Sequence, residues 1–131
     1  MNILLDTHAL IWLFDGNTCL SSKAKSQIEN VANTNFVSVV SFWEIAIKIS
    51  IGKLEMDMSM EDLQKLVWEN GIEILPFKIV HTFALRNLTY HHKDPFDRAI
   101  LVQALAEKMH LISCDDIFDK YLTNTPIQRI W

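Results

Sequence analysis

Apolar residues in this chain occur in two patterns: short unbroken runs, and stretches in which they return every three or four positions. The runs at 2–5, 36–40, 72–75, 111–113 and 127–130 predict short strands, and a run without alternation suits a strand covered on both faces. The stretches between them predict helices. Asp6 caps a helix through Leu13, and Asp15-Gly16-Asn17 turns the chain. Ser21 or Ser22 caps a polar helix to about Val31, with Ala24, Ile28 and Val31 on one face. Ser41 begins a helix that stops at Gly52, and Ser59 opens another whose core face carries Leu63, Leu66 and Val67. Residues 80–88 form a short helix. Asp94-Pro95 starts the longest one, to about Met109, and residues 115–121 form the last.

Strands alternating with helices imply right-handed crossovers and a mostly parallel sheet covered on both faces. With 131 residues and no linker, repeat or low-complexity segment, residues 1–131 are expected to form one domain. Half the residues are hydrophobic and 21% are charged, which excludes a disordered chain and a fibre. No apolar run is long enough to span a bilayer, and Met1-Asn2-Ile3-Leu4-Leu5-Asp6 is not the start expected of a signal or transit peptide. Cys19 and Cys114 have no zinc-like spacing and read as reduced thiols, which suits the cytoplasm.

Four acids sit after strands or at helix starts: Asp6, Glu44, Asp97 and Asp115. In a parallel sheet the ends after the strands point one way, and ligands bind there, so these acids are expected to share one cleft. Each also has a plain capping reading. Asp6 and Asp115 suit N-caps, Ser41-Phe42-Trp43-Glu44 fits a capping box, and Asp94-Pro95-Phe96-Asp97 fits a capped helix start. Carboxylates about 4 Å apart repel by roughly 4 kcal/mol at an effective dielectric near 20, so a real cluster calls for a divalent cation. Oxygen donors with no His/Cys pair nearby suit Mg²⁺ or Mn²⁺, and there is no Gly-rich phosphate loop. The chemistry this leaves is phosphodiester hydrolysis by metal-activated water.

Four stretches carry a family resemblance: Leu4-Leu5-Asp6-Thr7-His8-Ala9-Leu10, Ser41-Phe42-Trp43-Glu44-Ile45-Ala46-Ile47-Lys48, His92-Lys93-Asp94-Pro95-Phe96-Asp97-Arg98 and Ser113-Cys114-Asp115-Asp116-Ile117-Phe118. With Gly52-Lys53-Leu54 and the terminal Ile130-Trp131, the chain resembles PIN-domain ribonucleases of the toxin type, the VapC-like toxins, over nearly its whole length. The resemblance implies a three-layer α/β/α sandwich and Mg²⁺- or Mn²⁺-dependent endoribonuclease activity. It further implies a homodimer silenced by a small antitoxin, with Asp6, Glu44, Asp97 and Asp115 as catalytic and metal-holding acids. Thr7, Ser113, Arg98, Asp94 and Lys48 are candidate supporting residues.

Asp97 is preferred to Asp94, which precedes proline and is the natural N-cap; Asp115 is preferred to Asp116, being nearer the strand. Arg98 is expected to contact phosphate or pair with a site acid. His92 reads as a surface residue or one at the cleft rim. Trp12, Trp43 and Trp68 read as core or dimer interface rather than RNA-stacking platforms, and Lys48 and Lys53 as solvated lysines or backbone-phosphate contacts. The net charge of −4 argues mildly against nucleic acid, but setting the four site acids aside leaves twelve acids against twelve bases. Two rivals are a receiver-like phospho-switch, whose acid after the third strand is replaced here by Leu75-Pro76-Phe77, and a non-catalytic PIN-like binding module.

Overall fold

Strand β1 (Asn2–Leu5) runs through the centre of the protein, with Ile3, Leu4 and Leu5 all fully buried in the computed structural model, which describes residues 1–131. Ile3 and Leu5 pack into one apolar cluster and Leu4 into another, the period of two that puts neighbouring side chains on opposite faces. β2 (Thr34–Ser38) and β4 (His110–Ile112) flank it, and β3 (Glu73–Leu75) and β5 (Arg129–Ile130) form the edges. The order is β3-β2-β1-β4-β5 and every pairing is parallel.

Four helices serve the face that carries Ile3, Leu5 and Val37: α1 (Thr7–Asp15), α2 (Ser22–Glu29), α3 (Val39–Ser50) and α4 (Met60–Glu69). On the other face α6 (Pro95–Glu107) and α7 (Ile117–Leu122) cover Leu4 and Leu111, and α5 (Ile79–Asn87) packs on α6. This is the expected three-layer sandwich. No helix is long and apolar enough to cross a membrane. Both cysteines are free and exposed.

Three of the boundaries that differ from the sequence reading move a residue singled out there. Val31 lies beyond α2, which ends at Glu29, and is fully exposed rather than on the helix's buried face. The helix after β2 is capped by Ser38, not Ser41: the Ser38 hydroxyl accepts the Val40 N–H at 3.0 Å, so Val39 and Val40 belong to α3 rather than to the strand. Glu44 therefore falls in the second turn, and no Ser41–Glu44 capping box exists. Asp115 stands before α7 instead of inside it.

Ser38 is doubly committed, since its hydroxyl also donates to Gln103 Oε1 of α6 at 2.5 Å. Ser38→Ala removes a helix cap and strands a buried amide oxygen together. The expected cost is about 2–3 kcal/mol, read as a lower urea midpoint with unchanged slope.

Candidate functional site

The sheet order places its topological switch between β1 and β4, where successive connections leave in opposite directions. Asp6 follows β1 there, and its backbone N–H donates to Ile112 O of β4 at 3.0 Å. Its side chain does cap α1: Oδ1 accepts the Ala9 N–H at 2.8 Å. The cap explains why the helix starts where it does, but not why the carboxylate is buried. Burial pushes the Asp6 carboxyl up from its ordinary acidity. The Ser113 hydroxyl, the Ala9 N–H and His8 pull it back, and Glu44 pushes it up further.

Glu44 enters from α3 and is also buried. The buried Thr7 hydroxyl donates to Glu44 Oε1 at 2.6 Å, and the Ser41 hydroxyl lies 3.0 Å from that of Thr7. Lys48, one helical turn on, donates to Oε2 at 2.5 Å. Both oxygens are thus held. Ser41 thus lies inside the helix, about one turn before Glu44, rather than at its cap.

Asp97 comes from the first turn of α6. The cap of that helix is Asp94, whose Oδ1 accepts the Phe96 and Asp97 N–H groups at 2.9 and 3.0 Å. Asp97 is left free for other work. Burial raises its carboxyl to about 6, with Asp94, Asp6 and Glu44 adding repulsion and a hydrogen bond from His92 opposing them. Asp6, Glu44 and Asp97, distant in sequence, therefore lie in one another's field.

Asp115 differs from these three in being exposed. Its Oδ1 accepts the Ile117 N–H at 3.0 Å as α7 begins. The buried Ser113 hydroxyl accepts the Asp115 N–H at 3.1 Å, which ties this rim acid to the end of β4. Cys114, between them, is exposed, yet partial desolvation and both Asp6 and Asp115 push its thiol up. No three acidic, histidine or cysteine groups stand together in coordinating geometry. Each inner carboxylate has a protein partner: Ala9 N–H for Asp6, Thr7 and Lys48 for Glu44, and His92 for Asp97.

Several supporting assignments change. Arg98 touches neither an acid nor open solvent. It is buried, donating to Leu88 O, Thr89 O and the Tyr121 hydroxyl, with its guanidinium 3.8 Å from the centre of the Tyr90 ring. His92 is not a surface residue but is mostly buried, with Nε2 3.2 Å from Asp97 Oδ2. Lys48 is occupied by Glu44, while Lys53 is exposed. Trp43 and Trp68 are exposed rather than core, Trp43 standing edge-on to Phe96; Trp12 is half-buried against Trp131. The Lys48–Glu44 pair was readable as an i,i+4 spacing. Tyr121 was missed, and no local pattern marks it.

The sequence matches the PIN domain family over residues 3–122. No curated protein matches it. Among solved structures, VapBC2 from Rickettsia felis bound to a DNA fragment from its promoter is similar at 18% identity and a TM-score of 0.72, covering all of both chains. VapBC-1 from nontypeable Haemophilus influenzae is similar at 19% identity and a TM-score of 0.65, covering 98% of this chain and 96% of that one. A toxin–antitoxin complex from Klebsiella pneumoniae is similar at 23% identity and a TM-score of 0.57, covering 96% and 94%. At these identities the likeness establishes the fold alone.

Proposed function

The chain belongs to the PIN domain family, and on that footing we propose that it is a metal-dependent endoribonuclease, the toxin of a toxin–antitoxin pair. The observation that carries this reading is the meeting of Asp6, Glu44 and Asp97 at the carboxyl edge of the sheet, beside its switch point. Burial and acidic neighbours weaken the acidity of Asp6 and Asp97, and groups perturbed in this way concentrate at functional sites.

The side chains brought together there offer carboxylate oxygens, the donor type of a hard divalent cation. Asp6 and Asp97 would hold Mg²⁺ or Mn²⁺, with Asp115 contributing from the rim. When bound, the ion supplies Lewis acidity toward a phosphodiester and an acidified water. The protein's own part is positional. Thr7 and Lys48 hold both Glu44 oxygens and so fix the orientation of that carboxylate. Ser113 and the Ala9 N–H steady Asp6, and Lys48 adds a positive charge beside the cluster where a substrate phosphate would arrive.

RNA as substrate, a small antitoxin as partner, a homodimer and a cytoplasmic setting complete the reading. The likeness to a toxin–antitoxin complex from Klebsiella pneumoniae and to two VapBC structures supports the antitoxin. The purified protein is expected to cleave RNA in millimolar Mg²⁺ or Mn²⁺ and to stop on chelation. Asp6→Asn should lose at least about 100-fold, since Asn still caps α1 but is a poor ligand. Cleavage that survives both chelation and Asp6→Asn would overturn the assignment.

A further inference from the structure

Four side chains form a hydrogen-bonded chain that ends on a site acid: Arg98, Tyr121, His92 and Asp97. The direction of each bond can be worked out from one oxygen. The Tyr121 hydroxyl lies within reach of three donors, Arg98 Nη1 at 3.0 Å, the His91 N–H at 3.0 Å and the His92 N–H at 3.1 Å. None of the three has a lone pair to offer, so the hydroxyl's own proton must go elsewhere. His92 Nδ1 is 2.9 Å away, while the alternative acceptor, the His92 carbonyl, is at 3.5 Å. Nδ1 is therefore the acceptor, and the imidazole carries its proton on Nε2. That proton points at Asp97 Oδ2, 3.2 Å away.

The ring itself is caged. It stands edge-on to Phe118 and to Tyr121, and Tyr121 is held in turn by the His91 ring at 4.6 Å. Arg98 anchors the start of the chain from a buried position, with two backbone carbonyls and the Tyr90 ring around it. A rigid donor on one carboxylate oxygen fixes the rotation of the whole carboxylate, and no protein group bonds Asp97 Oδ1.

We propose that His92 is a positioning residue: through its Nε2–H, directed by Tyr121, it orients Asp97 so that Oδ1 is presented for metal. This rests on Asp97 being a metal-holding acid, as proposed above. Partners of ligating groups that act this way are worth about 10–100-fold in metal affinity or activity.

Two conservative replacements separate the two ring nitrogens. Asn places its carbonyl oxygen near the position of Nδ1, keeping the Tyr121 partner and losing the donor to Asp97. Gln places its amide nitrogen near the position of Nε2, keeping the donor. His92→Asn, His92→Gln and Asp97→Asn would be compared with wild type for RNA cleavage, for Mn²⁺ affinity by titration calorimetry and for melting temperature. The expected result is a loss of about 10–100-fold in cleavage and weaker Mn²⁺ binding for His92→Asn, with His92→Gln within a few-fold of wild type. Equal losses in both His92 variants, tracking their melting temperatures, would reduce His92 to a structural residue and overturn the proposal. So would a His92→Asn protein that binds Mn²⁺ and cleaves like wild type while Asp97→Asn does neither. Full cleavage and Mn²⁺ binding by Asp97→Asn would instead remove Asp97 from the site, and this proposal with it.

Discussion

Asp97→Asn should raise the thermal midpoint of the metal-free protein by about 5–10 °C at pH 7.5 and leave it unchanged near pH 3.5. The Asp97 carboxyl is raised from 3.8 to about 6 by burial, with Asp94, Asp6 and Glu44 adding to the effect against His92. The folded state therefore holds this proton more tightly than the unfolded state does. Below the unfolded value of 3.8 the group is neutral in both states and costs nothing. Between 3.8 and about 6 the penalty grows, and above about 6 it is present in full. A shift of about two units is roughly 3 kcal/mol. The side chain is 23% exposed, so solvent screening brings this to about 2 kcal/mol.

Asn is never charged, and its amide oxygen still accepts from His92, so the variant escapes the penalty without losing the hydrogen bond. In Mg²⁺ the order should reverse or close, because binding stabilises wild type more than the variant. Melting curves in EDTA from pH 3.5 to 8, repeated in millimolar Mg²⁺ at pH 7.5, test both halves. A midpoint difference independent of pH would show that Asp97 carries no burial penalty, and an identical response to Mg²⁺ would remove it as a ligand.

The parts of this site that were legible in the sequence are those fixed locally. Asp6, Ser59 and Asp94 cap helices through bonds to residues two or three positions on, and a cap signature spans that distance. Asp97 was preferred to Asp94 on this ground. Ser38 and Ser41 show where local reading fails. Val39-Val40 after Ser38 favours a strand by propensity, and Ser41-x-x-Glu44 imitates a capping box. What decides between them is Gln103, which lies 65 residues away and takes the Ser38 hydroxyl proton.

The end of α6 is similar. Lys108 closes it in the left-handed region at φ 55°, a conformation more often given to glycine, so the usual stop signal is missing. His92 and Arg98 could not be assigned from their neighbours, because Tyr121 gives both their roles and sits 29 and 23 residues on.

Arg98→Met should lower stability by about 3–5 kcal/mol, a drop of roughly 10–20 °C in melting temperature. Arg98 is a buried cation with no carboxylate partner. Its charge is met by the Thr89 carbonyl at 2.8 Å, the Tyr121 hydroxyl at 3.0 Å, the Leu88 carbonyl at 3.1 Å and the face of Tyr90. Two effects of opposite sign compete in the variant. Removing a buried charge relieves a desolvation cost, which is why buried ion pairs are sometimes replaced by apolar residues without loss. That gain requires the partner groups to be removed as well. Here two of the three are main-chain carbonyls, which no side-chain substitution deletes. Each is left short of a donor at about 1–3 kcal/mol, and the cation–π contact adds about 1 kcal/mol. The loss should therefore win.

Met keeps most of the volume, so the cost is polar rather than a cavity. Urea unfolding of Arg98→Met against wild type is the measurement, and a difference under about 1 kcal/mol would mean that desolvation had cancelled the hydrogen bonds. The damage should concentrate in residues 88–92, whose two carbonyls and two N–H groups are tied through Arg98 and Tyr121. Amide exchange should speed up there before it does in β1, whose hydrogen bonds sit at the centre of the sheet and open only with the whole fold.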